Sequence, residues 1–268
     1  MTAVLDPKTS HLNQERLDVD LTPGIPFARL ARVELRKMLD TRAGLWMIIV
    51  MSLISLLVAS MLLIFGSPET DMQFGSFVGL TSFPLLILLP IVGIMAATAE
   101  WSQRTGLVTF TLEPRRGRVV GAKTVAGTVL GMVVVAASFA AAALAHVLAI
   151  VLRDAPADWS MPWEVVLGFV VAMVLVVVQG LGFGFSLLNT PVAIVASILL
   201  PTIWSIVSSV SSRLNSVAEW LDLNRTLEPL LGGTMTGTDW AHLGTSSAVW
   251  IALPLAIGTW RVMTREVK

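Results

Sequence analysis

The segment from Gly117 to Thr124 contains residue types that could bind a phosphate. Its text, GRVVGAKT, places two glycines before a Lys-Thr pair, as in the P-loop of nucleotide-binding proteins. A P-loop has four residues between its glycines and a lysine directly after the second, whereas here three residues intervene and Ala122 precedes Lys123. We expect no strand before the segment, and an apolar stretch follows it. The spacing therefore argues against an ATP site in this chain.

Other catalytic and metal-binding chemistry is also poorly supplied. The absence of cysteine excludes disulfides, iron–sulfur clusters, thiolate zinc sites and cysteine nucleophiles. The three histidines, His11, His146 and His242, lie far apart, and we expect His146 to be hydrogen-bonded in the packing. No Ser/His/Asp arrangement or paired carboxylate is apparent. We predict a protein that is not an enzyme and holds no metal or cofactor of its own.

The composition is typical of a membrane protein. Hydrophobic residues make up 55% of the 268 residues, charged residues make up 13%, and the mean hydropathy is +0.79. The apolar residues form runs of about 20, the length of a helix that crosses a bilayer. We predict an all-α membrane protein whose six transmembrane helices span residues 45–65, 77–99, 124–152, 163–188, 191–211 and 247–263.

The basic residues predict the orientation of these spans. Seven of the 18 Lys and Arg precede the first span, five lie between spans two and three, and three lie at the C-terminal end, from Arg261 onward. Only three lie on the other side, so the positive-inside rule places both termini in the cytoplasm. The formal net charge of zero hides this asymmetry, although it argues against nucleic acid as a partner.

Residues 25–43 are predicted to form an amphipathic helix that lies in the membrane interface, after a flexible cytoplasmic tail at 1–24. Apolar residues such as Leu30, Leu35 and Met38 recur at helical spacing. The opposite side of the helix is basic, and we expect it to contact lipid phosphates or a partner. Its residues are Arg29, Arg32, Arg36 and Lys37. The alternative is an ordinary basic segment next to the membrane.

Residues 100–123 form the largest predicted cytoplasmic loop. A short helical piece over 101–111 precedes a break at Glu113-Pro114 and an arginine cluster. Leu107, Phe110 and Leu112 would be poorly placed in water unless something covers them. The loop either docks another molecule or folds back onto the membrane surface.

Residues 212–246 form the largest predicted external connection. Apolar residues at helical spacing indicate a short external or re-entrant helix, and the text GGTMTGT at 232–238 indicates a turn. Its acidic residues would otherwise form a solvated rim. Within the spans, glycines in the third and fourth indicate close helix contacts.

The loop text resembles that of ABC-2 type exporter permeases, which have the type V exporter fold. The similar stretches are Ala99-Glu100-Trp101-Ser-Gln-Arg104-Thr105-Gly106-Leu107 and Thr109-Phe110-Thr111-Leu112-Glu113-Pro114-Arg115-Arg116, followed by Val119–Lys123. The order of elements is also similar: an N-terminal elbow helix, six spans, and an external helix before the sixth. The C-terminal stretch from Trp260 resembles actinobacterial members.

The resemblance implies a role for each part. The loop after span two would be the coupling helix that docks on a separate ATPase, through Glu100, Trp101, Arg104, Thr105, Glu113, Arg115 and Arg116. Spans two and five would line the pathway, which points to Phe83, Met95, Thr202, Trp204 and Ser205.

The family also implies partners. The working unit would contain two copies of a cytoplasmic ABC ATPase, which bind ATP and magnesium, and a second permease that is identical or different. It would export a lipid-like or amphipathic molecule across a bacterial plasma membrane, in contact with membrane lipids.

Two other classes of function stay open. One is a carrier or channel that works without ATP, although the spans contain no ionisable residue at their predicted centres. The other is a non-transport membrane protein, such as an assembly or immunity factor.

Overall fold

The computed structural model describes residues 24–210 and 212–266, in which helices and their connections account for the whole architecture. The predicted tail, apart from Gly24, lies outside the described residues. The helices are α1 (Phe27–Asp40), α2 (Arg42–Phe65), α3 (Phe74–Ser102), α4 (Gly106–Leu112), α5 (Arg116–Arg153), α6 (Trp163–Leu187), α7 (Thr190–Ser209), α8 (Ser212–Leu221), α9 (Leu223–Gly232), α10 (Gly237–Ser247) and α11 (Leu253–Thr264), with a π-helical turn at Ala248–Ala252.

Six of these helical segments are long and apolar enough to cross a membrane. Five are α2, α3, α5, α6 and α7, and the sixth is the continuous run of α10, the π-helical turn and α11 over Gly237–Thr264. Their lengths range from 20 to 38 residues, and a helix of about 20 residues spans the hydrocarbon core. The prediction of an all-α protein with six spans is confirmed at this level.

The helix that contains the third predicted span begins before the predicted bound. It starts at Arg116 rather than at residue 124, so the basic stretch before Lys123 is helical. Val119 and Ala122 are buried there and form a small cluster with Leu30 of α1. The basic residues of this stretch therefore belong to a helix whose apolar residues pack against α1.

The helical run that contains the sixth predicted span also begins earlier, at Gly237, whereas the span was predicted from residue 247. Thr236 and Asp239 form a capping box in which each side chain accepts a hydrogen bond from the other residue's backbone N–H, at 3.3 and 2.8 Å. A capping box supplies partners to N–H groups that a helix start leaves free. The predicted turn survives as Gly233–Thr236, where Gly233 has a φ of +67°.

Helices α3 and α6 form the centre of the bundle, and α2 and α7 lie at its periphery. Glycines bring the two central backbones together. A Cβ on Gly180 of α6 would overlap the carbonyl oxygen of Pro90 in α3, and one on Gly184 would lie 2.6 Å from the Cβ of Ala97. Small residues permit this approach, as expected for helices packed in a bilayer.

Both described termini lie at the same end of the bundle, here called the terminal end. Arg118 donates to the carbonyl of Ile25 at 2.6 Å, and Arg116 donates to that of Arg265 at 2.5 Å. The even number of spans requires this placement.

At the opposite end, two short helices, α8 and α9, occupy the predicted external connection. Asp222 caps α9 by accepting from the backbone N–H of Asn224 at 3.0 Å. Trp250 donates to the carbonyl of Leu221 at 2.6 Å, which fixes these helices on the sixth span. His146 is buried near this end, with Nδ1 2.8 Å from the carbonyl oxygen of Met72, in the hydrogen-bonded state expected for it.

Candidate functional site

Four charged side chains from three helices meet at the terminal end. We call Glu34, Lys37, Glu100 and Lys123 the buried charge cluster. Lys123 Nζ lies 2.5 Å from Glu34 Oε2 and 2.9 Å from Glu100 Oε1. Lys37 Nζ lies 2.6 Å from Glu34 Oε1 and 3.5 Å from Glu100 Oε1. The cluster joins α1, α3 and α5.

Three of the four residues are almost completely enclosed. Glu34 is 1% exposed, Lys123 3% and Glu100 4%, whereas the side chain of Lys37 is 42% exposed. Glu34 is enclosed because it lies on the buried face of α1, one turn from Leu30 and one turn from Met38. Spacings of four residues place side chains on one face of a helix.

The lysines keep Glu34 ionised. Burial by itself raises the pKa of Glu34, but the ammonium groups of Lys123 and Lys37 outweigh burial and hold that pKa below its ordinary value. Two carboxylates and two ammonium groups give the cluster a formal charge of zero. Buried charges persist when they are paired in this way, and removal of one partner leaves an uncompensated charge.

A cavity of about 510 Å³ adjoins the cluster. Lys37, Glu100 and Lys123 line it, together with Val92, Met95 and other apolar residues of α3. The start of α2, the start of α7 and helix α4 complete the lining. The site therefore combines fixed charges with an apolar surface at the terminal ends of the spans.

Helix α4 lies outside the bundle beside this cavity. Its seven residues expose Leu107 by 62%, Val108 by 62% and Leu112 by 68%. Phe110 turns the other way, with its ring centroid 6.4 Å from that of Trp101. The helix thus presents an apolar surface beyond the ends of the spans.

Ion pairs hold the segment after α4 in place. Glu113 Oε2 lies 2.8 Å from Arg118 Nη1, and Arg118 in turn donates to the start of α1. Arg116 donates to the carbonyls of Val262 and Arg265 at the end of α11 and lies over the Phe110 ring at 4.8 Å. The loop is therefore fastened to both the first and the last helices of the described chain.

The residues assigned to docking by resemblance divide into two groups. Arg104, Thr105 and Arg115 are exposed. Glu100, Trp101, Glu113 and Arg116 are buried or half-buried and contact other parts of the chain. In this arrangement the exposed apolar face of α4 and its exposed basic neighbours form the surface that a partner would meet first.

The basic residues of α1 also divide. Arg29, Arg32 and Arg36 are exposed, and Arg36 pairs with Asp40 at 2.6 Å. Lys37 instead contributes to the buried charge cluster. The amphipathic character predicted for α1 is present, but its inner face contains the carboxylate of Glu34 and packs against protein.

Only one of the residues assigned to a pathway lines this cavity. Met95 lines the cavity at the terminal end, whereas Phe83, Thr202, Trp204 and Ser205 are absent from its lining. Phe83 is 62% exposed on the surface of α3. Trp204 of α7 is half-buried, and its Nε1 atom is enclosed without a hydrogen-bond partner among the described residues.

Sequence reasoning missed Glu34 and treated Lys123 as a loop residue. The signal for Glu34 was an acid at the centre of an apolar stripe, four residues from Leu30 and from Met38. In the part of the chain that the structure describes, no group of three or more His, Asp or Glu residues has the arrangement of a metal site. Neither a protein-family model nor a curated protein sequence matches the chain.

Proposed function

We propose that this chain is the membrane-spanning permease subunit of an ATP-driven exporter in a bacterial plasma membrane. The observation that carries the proposal is the exposed apolar face of α4, formed by Leu107, Val108 and Leu112 beyond the ends of the spans. A surface of this kind at the end of a helix bundle suits a protein partner. The resemblance of the surrounding sequence to ABC-2 permeases supports an ABC ATPase as that partner.

The proposed working unit contains two permease chains and two ATPase chains. ATP and magnesium bind to the ATPases, whose closure moves α4. Because Glu113, Arg116 and Arg118 connect the segment after α4 to α1 and α11, movement of α4 would be transmitted to several spans at once. The exported molecule is lipid-like or amphipathic, in keeping with apolar spans.

In this proposal Glu100 has a positioning role. Its carboxylate holds Lys123 and Lys37 and so keeps α1, α3 and α5 in register. Arg104, Thr105 and Arg115 supply the polar contacts to the ATPase. Both termini and α4 face the cytoplasm, as the distribution of basic residues indicates.

The test compares variants of the full chain that are expressed in the native host and purified in a mild detergent. Leu107→Asn with Val108→Asn removes the apolar face of α4, and Val33→Asn is the matched control, because Val33 is 45% exposed on α1 at the same end. The measurement is magnesium-dependent ATP hydrolysis that copurifies with each variant. We expect the activity to be lost only from the α4 variant.

Transport by the purified chain alone, in liposomes without any ATPase, would rule the proposal out. Equal ATP hydrolysis with both sets of variants would also count against docking through α4.

A second candidate, an ion-coupled carrier, gains one observation from the structure. The buried charge cluster is an ionisable set within and beside the spans, and carriers use such groups to move protons or ions. Its position at one end of the bundle, rather than at the centre, favours a structural role. Uptake into ATP-free vesicles driven by a proton gradient, and abolished by Glu34→Gln, would favour the carrier.

A further inference from the structure

We propose that the cavity beside the buried charge cluster binds one membrane phospholipid, by its phosphate group and the first part of one acyl chain. The inference requires only that the chain lies in a bilayer. It does not depend on an ATPase partner or on transport.

The polar residues that line the cavity supply hydrogen-bond donors. An ammonium group has three N–H donors, and Lys37 Nζ makes one short bond, to Glu34 at 2.6 Å. Its side chain is 42% exposed, so further donors are available to a ligand. Thr41, Gln103 and Thr105, which carry hydroxyl or amide donors, also line the cavity.

The buried charge cluster is neutral, so the net positive charge that favours an anionic group comes from the exposed Arg42 and Arg104 beside the cavity. Glu100 is the one acidic residue among those that line the cavity, and its carboxylate is already paired with Lys123 at 2.9 Å. Arg42 and Arg104 are exposed, and in the chain each lies between two residues that line the cavity. Phosphate accepts hydrogen bonds from ammonium, hydroxyl and amide donors, and ionic partners strengthen these bonds.

Much of the lining is apolar. Val92, Met95, Ala96 and Ala99 of α3 contribute to it along two helical turns, and Val108 of α4 adds to it. These apolar residues suit hydrocarbon and offer nothing to a free inorganic phosphate. A ligand with both an anionic group and an acyl chain would contact the polar and the apolar residues of the lining.

The position of the cavity gives a lipid access to it. Ala43 and Gly44 at the start of α2 form part of the lining. Helix α2 is the least buried of the six spans, since only 11% of its most apolar 18 residues are buried. The terminal end of a span lies near the lipid headgroups. A volume of about 510 Å³ falls within the range of about 300–1,000 Å³ that is usual for small-molecule pockets.

Native mass spectrometry of the detergent-purified full chain tests the inference by titration with dioleoyl phosphatidylglycerol. Lys37→Gln removes the charged donor, and Ala96→Phe fills the apolar part of the cavity while leaving the charge cluster intact. Arg32→Gln is the control, because it removes an equal charge from the exposed face of the same helix. We expect the first two changes to weaken binding about tenfold and the control to change it less than about twofold.

Three outcomes would overturn the inference. One is equal weakening by Lys37→Gln and Arg32→Gln, which would mean that lipid follows surface charge alone. Another is unchanged binding to Ala96→Phe, which would remove the acyl chain from the cavity. The third is displacement of the lipid by millimolar inorganic phosphate, which would identify the ligand as free phosphate.

Discussion

The ammonium nitrogen of Lys123 lies 2.5 Å from Glu34 Oε2, and both residues are at most 3% exposed. Lys123 lies within the third span, whereas Glu34 belongs to the helix that precedes the first span. The pair therefore fastens α1 to the bundle in a single register. Loss of one partner of a buried ion pair lowers the stability of a protein strongly. Substitution of either residue therefore tests whether α1 packs on the bundle in this way.

Replacement of Lys123 by methionine should destabilise the protein strongly. Glu34 and Glu100 would be left with Lys37 as their only counter-charge in the cluster, and loss of one partner of a buried pair costs about 3 to 5 kcal/mol. Glu34→Gln with Lys123→Met removes one charge of each sign and should recover much of the loss. Thermal unfolding of the detergent-purified protein measures both variants, and simple additivity of the single changes would contradict the pairing.

Stability should depend on pH through Glu34. Its pKa in the folded protein is held below the ordinary value of 4.5, so its contribution to the free energy of unfolding is present above that value. The contribution is lost as the pH falls through the lower folded pKa. Lys37, Lys123 and Glu100 are the charged groups that face it.

Melting temperatures of the wild type and of Glu34→Gln, measured from neutral pH down through the acid range, test this dependence. The difference between the two proteins should shrink on acidification. A constant difference over the whole range would show that folding does not lower the pKa of Glu34, which would contradict its pairing with the lysines.

Close contact of the central helices should make Gly180 intolerant of alanine. A Cβ there would overlap the carbonyl oxygen of Pro90, which is backbone and has little freedom to move. Overpacking of this kind costs about 1 to 3 kcal/mol. Gly79→Ala is the matched control, because a Cβ on Gly79 meets nothing within 4 Å, and it should be neutral or stabilising. Equal melting temperatures for the two variants would contradict the packing.

The turn between α3 and α4 should prefer glycine at residue 104. Arg104 has a φ of +56°, in the left-handed region that disfavours residues with a Cβ. Arg104→Gly and Arg104→Ala remove the same charge, but only glycine relieves the backbone. We expect the glycine variant to be more stable than the alanine variant by about 1 kcal/mol, as measured by thermal unfolding; the reverse order would contradict the turn geometry.

The orientation of the chain is open to a labelling experiment, because the protein contains no cysteine. Thr111→Cys in α4 and Glu69→Cys between α2 and α3 each create a single exposed thiol, at opposite ends of the bundle. A membrane-impermeant maleimide added to intact cells should label the second variant only. Labelling of Thr111→Cys from outside would reverse the proposed topology.

The six spans were predictable because a bilayer imposes its thickness on any chain that crosses it. An apolar run of about 20 residues satisfies that constraint without help from neighbours. The helix that contains the third predicted span begins eight residues before the predicted bound, because Val119 and Ala122 between the basic residues pack against α1. Composition marks the part of a helix that meets lipid and misses the part that packs on protein.

The distribution of charge along the chain could likewise be read from the sequence, and so could the apolar residues of α4. The sequence did not determine which of these charges would be buried. Glu100 and Arg104 are four residues apart, yet one is 4% exposed within the cluster and the other is exposed beside α4. Their difference depends on α1, which comes from far away in the chain.

The sequence by itself thus determined a six-span helical membrane protein and the end at which its basic residues gather. Only the tertiary structure decided that Glu34 meets Lys123, 89 residues further along the chain, and that a cavity lies beside them. The physical reason is that hydropathy and charge act on each segment locally, whereas the burial of an ion pair requires helices distant in the chain to pack together.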